Sequence, residues 1–212
     1  NMKKMLKLFD SKNVHAKRPH VLNQVSKYLT EHEMTPAICY IFSIKQIETS
    51  CREVSTNLLE FDSKVPYIAR RECEQILRSK LSNFEEYIHL PEYLNLVALL
   101  EKGIATHHSK MLPILREIVE IFFAKGYIKL LFATESVAIG LNLPVKTCIF
   151  TDVNKHDGIC KRTLYSHEYT QSAGRAGRLG LDKIGHVIHL NNLFRDVDSV
   201  SLLNVIESSS VE

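Results

Sequence analysis

The chain has 212 residues, 45% hydrophobic and 24% charged, which fits an ordinary globular protein of one large or two small domains. A formal net charge of +3 is too mild to diagnose a nucleic-acid binder, which needs a local basic strip rather than a global excess. No apolar run approaches the roughly 20 residues of a membrane helix, no secretion signal opens the chain, and the five cysteines are widely spaced without zinc-ligand spacing. An intracellular protein with reduced thiols, no structural metal and no membrane partner is the expectation.

The start, Asn1-Met2, reads as the cut end of a longer protein, and residues 1–19, rich in Lys and Arg, read as a linker or arm. From His20, the spacing of Val21, Leu22, Val25 and Leu29 predicts a helix. Pro36 then sets a break before AICYIFS, a buried strand. Ser43 stands three residues before Gln46, the spacing of a capping box, and the following helix is expected to run through Ile47, Cys51, Val54 and Leu58. Residues 62–101 read as a helical insertion opened by Pro66 and again by Pro91, and closed by Gly103. Next come a strand at Ile104 to His108, a helix from Pro113 to Lys125, and strands IKLLFAT and TCIFTDV. Asp157-Gly158 signals a hairpin turn. A helix at Ser166 to Ala176, a strand GHVIHL and a helix from about Val197 to Ile206 end the pattern. Residues 20–212 are therefore expected to form one α/β domain, a mostly parallel sheet with helices on both faces.

The run QSAGRAGR, Gln171 to Arg178, carries the most chemistry. On a continuous helix Gln171, Arg175 and Arg178 fall at i, i+4 and i+7 and line one face, while Gly174 and Gly177 leave room for close backbone approach. Such a surface suits a phosphate chain, and the bland alternative is a solvated polar helix face. Gly180 and Gly185 have P-loop spacing but are followed by His186-Val187 rather than Lys and Ser/Thr, and no DExH or DExD run is present. Whatever the arginines act upon must be presented largely by another domain.

FATESVAIGLNLP from Phe132, the spacer KHDG, QSAGRAGRLGLD and the upstream GIATHHSKMLP together resemble the second RecA-like domain of superfamily 2 DExH helicases, of the superkiller type that feeds the RNA exosome. The resemblance implies a three-layer RecA-like sandwich within an ATP-dependent 3′-to-5′ RNA helicase. ATP and Mg2+ would be bound mainly by a first RecA-like domain. Single-stranded or partly duplex RNA, that first domain and exosome-type decay machinery are the implied partners. Arg178 is then the arginine finger, with Arg175 beside it and Gln171 near the attacking water. Gly140 and Asn142 lie near the nucleotide. Thr134 and Glu135, His108 and Ser109, and Ser43 contact the RNA backbone, although a helix cap explains Thr134 or Ser43 too. The hairpin carrying Lys155 and Arg162 matches a strand-separating hairpin in placement, or is a plain basic β-turn. The chain departs from the family's pattern at Leu179, usually Arg, and at Lys110, usually Gly. A DNA helicase lobe and a non-catalytic module with a helicase-like fold remain the alternatives. The motor reading requires the two guanidinium groups to face a cleft rather than be buried in internal salt bridges.

Overall fold

Four short strands buried at every residue, 37–40, 104–107, 130–133 and 147–150, decide the architecture. Ile38 and Tyr40 turn to one face of the sheet, Ala37, Cys39 and Ile41 to the other, and each set joins a separate apolar core. A strand buried on both faces needs helices on both, and parallel neighbours supply them through crossover connections. The computed structural model describes residues 17–134, 144–190, 193–194 and 199–209. In chain order these form α1 (Arg18–Glu31), β1 (Ala37–Tyr40), α2 (Ile44–Glu53), α3 (Val65–Lys80), α4 (Phe84–Tyr87), α5 (Pro91–Leu100), β2 (Ile104–His107), α6 (Pro113–Ala124), β3 (Leu130–Ala133), β4 (Thr147–Phe150), β5 (Asn154–His156), β6 (Lys161–Thr163), α7 (Ser166–Ala173), β7 (His186–His189) and α8 (Ser199–Ser209).

The main sheet runs β2-β3-β1-β4-β7 with every neighbouring pair parallel. Its carboxyl ends are in register: Tyr40 sits opposite Ala133 and Phe150, His107 opposite Ala133, and Phe150 opposite His189. One core packs α3, α5, α6, α7 and α8 on the first face, through residues such as Cys73, Leu96, Phe122, Tyr169 and Leu202. The other packs α1 and α2 on the second face, through Leu22, Leu29, Ile47 and Cys51. The expected three-layer RecA-like α/β architecture is the one found.

Three local expectations are corrected. Helix α1 opens at Arg18, two residues ahead of His20, and Arg18 is tied to Glu53 by two hydrogen bonds of 2.7 and 2.6 Å. Residues 1–16 of the expected arm lie outside the described residues. Helix α2 ends at Glu53 rather than continuing to Leu58, because Asn23 of α1 intercepts it. The Asn23 amide donates to the Glu53 carbonyl at 2.9 Å, and its oxygen accepts the Ser55 and Thr56 N–H groups at 2.8 and 2.9 Å. Ser43 occupies the N-cap position of α2 in an extended conformation, but its hydroxyl makes no capping hydrogen bond.

Candidate functional site

The aligned parallel strands gather the candidate residues at two edges of the sheet. At the carboxyl edge, β1 leads into Ser43, β2 into His108 and Ser109, and β3 into Thr134. At the amino edge, the segment after α7 crosses the start of β4. Val145 N–H donates to the Arg175 carbonyl at 3.1 Å, and Gly177 N–H donates to the Val145 carbonyl at 2.7 Å. The arginines and the expected RNA-contacting residues are therefore separated by the length of β4, roughly 13 Å at 3.3 Å per residue.

The helical face of Gln171, Arg175 and Arg178 is not formed, because α7 stops at Ala173. Residues 175–177 leave the helix to pair with Val145, ahead of β4, and two glycines permit that path. Gly177 has φ +91°, and a Cβ there would meet Gly185 Cα at 3.2 Å, while a Cβ on Gly185 would run into the Ala176 carbonyl. Gln171 and Arg175 line one groove of 390 Å3 with Thr170, Gly174 and Pro144. Arg178 opens onto a neighbouring groove of 790 Å3, also bordered by Pro144, together with Lys129 and Lys146. Arg175 also lies close enough to the sheet for its charge to favour the ionised forms of Tyr40 and Cys148, although burial dominates and pushes the Cys148 thiol up to about 12.

Arg178 is engaged in an ion pair with Asp182, yet its side chain stays partly exposed at the groove rather than buried in the pair. Its Nε donates to Asp182 Oδ2 at 2.8 Å, its Nη2 to Oδ1 at 3.0 Å, and its backbone N–H to Oδ2 at 2.9 Å. The Asp182 side chain is only 4% exposed, whereas that of Arg178 remains 29% exposed. The pair fixes the plane of the fork and leaves the remaining guanidinium donors for a further acceptor. Arg178 holds the Asp182 carboxyl down to about 2, mainly through these hydrogen bonds. A depressed folded-state pKa stabilises the fold in full above the unfolded value near 4, and that gain is lost as pH falls toward 2. Wild type and Asp182→Asn should therefore differ in melting temperature at about pH 5 and converge by about pH 2. A difference independent of pH over that range would remove the carboxylate from this role.

At the carboxyl edge, Thr134 is half-buried, and its N–H donates to the His107 carbonyl at 3.4 Å. Glu135, Gly140 and Asn142 lie outside the described residues. His107 and His108 are both buried, and burial lowers both imidazole pKa values, so neither presents a cation at neutral pH. His107 Nε2 lies 3.3 Å from Glu120 Oε1. Ser109 and Lys110 are exposed beside them. Ser43 lines a 290 Å3 groove with Gln46, His156 and Lys161, between the start of α2 and the hairpin.

The hairpin forms as expected, β5 pairing with β6 and Lys155 standing opposite Arg162. Asp157 N–H donates to the Cys160 carbonyl, and the Asp157 carboxylate accepts the Ile159 and Cys160 N–H groups, both at 2.9 Å. Gly158 takes φ +100° in the turn, and Ile159 is 92% exposed at the tip. Lys155 and Arg162 do not reach outward. Both are bound to Glu168 of α7, leaving Lys161 as the exposed cation of the groove. Sequence reasoning missed Asp182, Glu168 and Lys161. The i, i+4 spacing of Arg178 and Asp182 was the available signal for the first, and Glu168 three residues after Tyr165 was that for the second. Leu179 is fully exposed, so the residue type there does not touch the Arg178–Asp182 pair.

A model of the helicase conserved C-terminal domain matches residues 81–180. Antiviral helicase SKI2 of Saccharomyces cerevisiae is 42% identical over 169 residues, covering 78% of this chain and 12% of that protein. DExH-box ATP-dependent RNA helicase DExH9 of Arabidopsis thaliana is 41% identical over 160 residues, 75% of this chain and 16% of that protein. Exosome RNA helicase MTR4 of Mus musculus is 36% identical over 173 residues, 81% of this chain and 16% of its own length. The chain thus spans 12% to 16% of these relatives. The matched domain model spans β2, β3, β4, the hairpin and the arginine segment as far as Gly180, and with these relatives it shows that the chain belongs to the superkiller-type DExH-box helicases of superfamily 2, as a helicase C-terminal domain.

Proposed function

We propose that this domain is the second motor lobe of an ATP-dependent RNA helicase that moves 3′ to 5′, with Arg178 as its arginine finger. The observation that carries the reading is the Arg178 fork, oriented by a nearly buried Asp182 yet still open to a groove at the amino edge of the sheet. A guanidinium held in this way meets developing negative charge on a transferring phosphoryl group without reorganising at the moment of reaction. Gln171 and Arg175, in the adjoining groove, contact the nucleotide's phosphates and the attacking water. Among the described residues no cluster of three or more His, Cys, Asp or Glu could hold a metal, and this donor set suits phosphate oxygens rather than Mg2+. ATP and Mg2+ are held mainly by a first RecA-like domain, which closes on this one and reopens after hydrolysis.

The RNA backbone runs along the carboxyl edge, past Thr134, Ser109 and Ser43, with Lys161 neutralising phosphate charge. His108 contributes a neutral imidazole there, and the Ile159 tip meets the duplex junction. The MTR4 relative is named an exosome RNA helicase, and RNA-decay machinery of that kind is the partner expected here.

The test is ATP turnover by the full-length protein with single-stranded RNA and with DNA of the same sequence. RNA is expected to stimulate turnover strongly and DNA weakly, while the 212-residue chain alone hydrolyses no ATP. Equal stimulation by DNA would replace the RNA track with a DNA one. Absence of any nucleic-acid-stimulated turnover would favour a non-catalytic module.

A further inference from the structure

The hairpin and the arginine-bearing segment are neighbours in sequence, β6 running into α7 through Leu164 and Tyr165, and in space the Glu168 carboxylate ties both hairpin strands to the helix. The two strands of the hairpin are three residues each and do not join the main sheet. A two-stranded ribbon of that size is marginal by itself, so something outside it must fix its direction. Glu168 does so from the first turn of α7. Its Oε2 accepts Arg162 Nη1 at 2.7 Å and its Oε1 accepts Nη2 at 2.8 Å, a bidentate pair, while Lys155 Nζ lies 2.7 Å from Oε1. Oε2 also accepts the Tyr165 N–H at 2.9 Å, and the Arg162 guanidinium stacks 4.0 Å from the centre of the Tyr165 ring.

Both strands of the hairpin are thus gripped at once, because Lys155 and Arg162 are register partners on opposite strands. The three side chains are 12% to 20% exposed, so the cluster is only partly open to water. Arg162 and Lys155 hold the Glu168 carboxyl far below the ordinary carboxylate range, and the charge persists throughout neutral pH. On the same helix, three residues or roughly 4.5 Å further along the axis, stands Gln171. Just beyond the end of α7 lies Arg175, in the same groove as Gln171.

We propose that Glu168 is a positioning residue that couples the hairpin to the nucleotide-facing end of α7, so that movement of the arginine segment during ATP turnover is delivered to the hairpin tip. The coupling rests on the helicase reading above. It assigns Lys155 and Arg162 a mechanical role rather than contact with nucleic acid. Removing the clamp leaves both ends intact but frees the hairpin to change direction relative to α7, since only Leu164, Tyr165 and the Arg162–Tyr165 stack then hold it. ATP is still hydrolysed on single-stranded RNA, and strand opening fails to follow.

The experiment compares the full-length wild type with Glu168→Gln and Glu168→Ala, measuring single-stranded-RNA-stimulated ATP turnover and strand displacement on a partly duplex RNA. Glutamine keeps an acceptor for the Tyr165 N–H but loses the charge that holds Lys155 and Arg162. For Glu168→Gln, turnover should stay within about threefold of wild type while displacement per ATP falls about tenfold, and Glu168→Ala should fall further. Retained turnover also reports that the variant is folded. If displacement and turnover fall in parallel, or if displacement per ATP is unchanged, the coupling is overturned. If the wild type itself shows no RNA-stimulated turnover, the helicase reading falls first.

Discussion

Arg178→Ala in the full-length protein is expected to lower RNA-stimulated ATP turnover by roughly 10³-fold or more, the range typical of a lost arginine finger. The effect should appear in kcat rather than KM, because the interaction matters most where phosphoryl charge develops. The structure adds a complication that the residue type alone does not disclose. The Asp182 side chain is nearly buried, and truncating its partner leaves a carboxylate whose one remaining hydrogen-bond donor among the described residues is the Arg178 backbone N–H. Some of the loss in the single variant would then be misfolding of the loop rather than missing catalysis. Arg178→Ala combined with Asp182→Asn separates the two, since asparagine still accepts the backbone N–H and carries no charge to strand. The double variant should regain thermal stability without regaining turnover. Arg178→Lys is expected to fall short as well, because one ammonium cannot both span the two Asp182 oxygens and address a phosphate. Turnover within about threefold of wild type in the double variant would remove Arg178 from the chemistry.

The same pair shows what the sequence could and could not disclose. The order of helices and strands was readable because each strand is a short apolar run bounded by Pro, Gly or polar residues, and the helices carry regular apolar spacing. What misled was treating QSAGRAGR as a continuous helix. Helical spacing predicts a face for Gln171, Arg175 and Arg178 only if the helix persists, and here residues 175–177 instead pair with Val145, just ahead of β4. Of the two glycines that suggest a bare helix surface, Gly177, with Gly185 opposite it, is what lets two backbone segments cross, while Gly174 is the C-cap of α7. Ion pairing was the second blind spot. Lys155 and Arg162 look like free hairpin cations in a linear reading, and only the fold brings Glu168 between them. Long-range tethers of this kind, like Asn23 terminating α2, leave no periodic signal.

Phe150→Ala is expected to cost the largest share of stability, about 3–5 kcal/mol, because it opens a cavity that its surroundings cannot fill. Phe150 is 1% exposed at the carboxyl end of β4, the strand between β1 and β7. Its ring centroid lies 5.2 Å from that of Tyr40, 4.9 Å from that of Tyr169 and 5.4 Å from that of His189. Aromatic walls of this kind have few rotamers through which to collapse inward, and all three are further pinned. Tyr169 Oη lies 3.0 Å from His189 Nε2, and Tyr40 Oη donates to the Ser172 carbonyl at 3.4 Å. Tyr169 and Ser172 both belong to α7, so this stack is what seats the motif helix on the sheet. Denaturant unfolding should show the midpoint falling with little change in slope, and the melting temperature should drop by roughly 6–20 °C for a domain of this size. Phe150→Leu, which fills most of the volume, should lose well under half as much. Because α7 carries Gln171 and leads into Arg175 and Arg178, the same cavity should loosen the arginine segment before the sheet gives way. Hydrogen exchange ought then to rise at residues 169–177 ahead of β1 and β3, and uniform exchange across the domain would argue that the stack does not hold the helix in place.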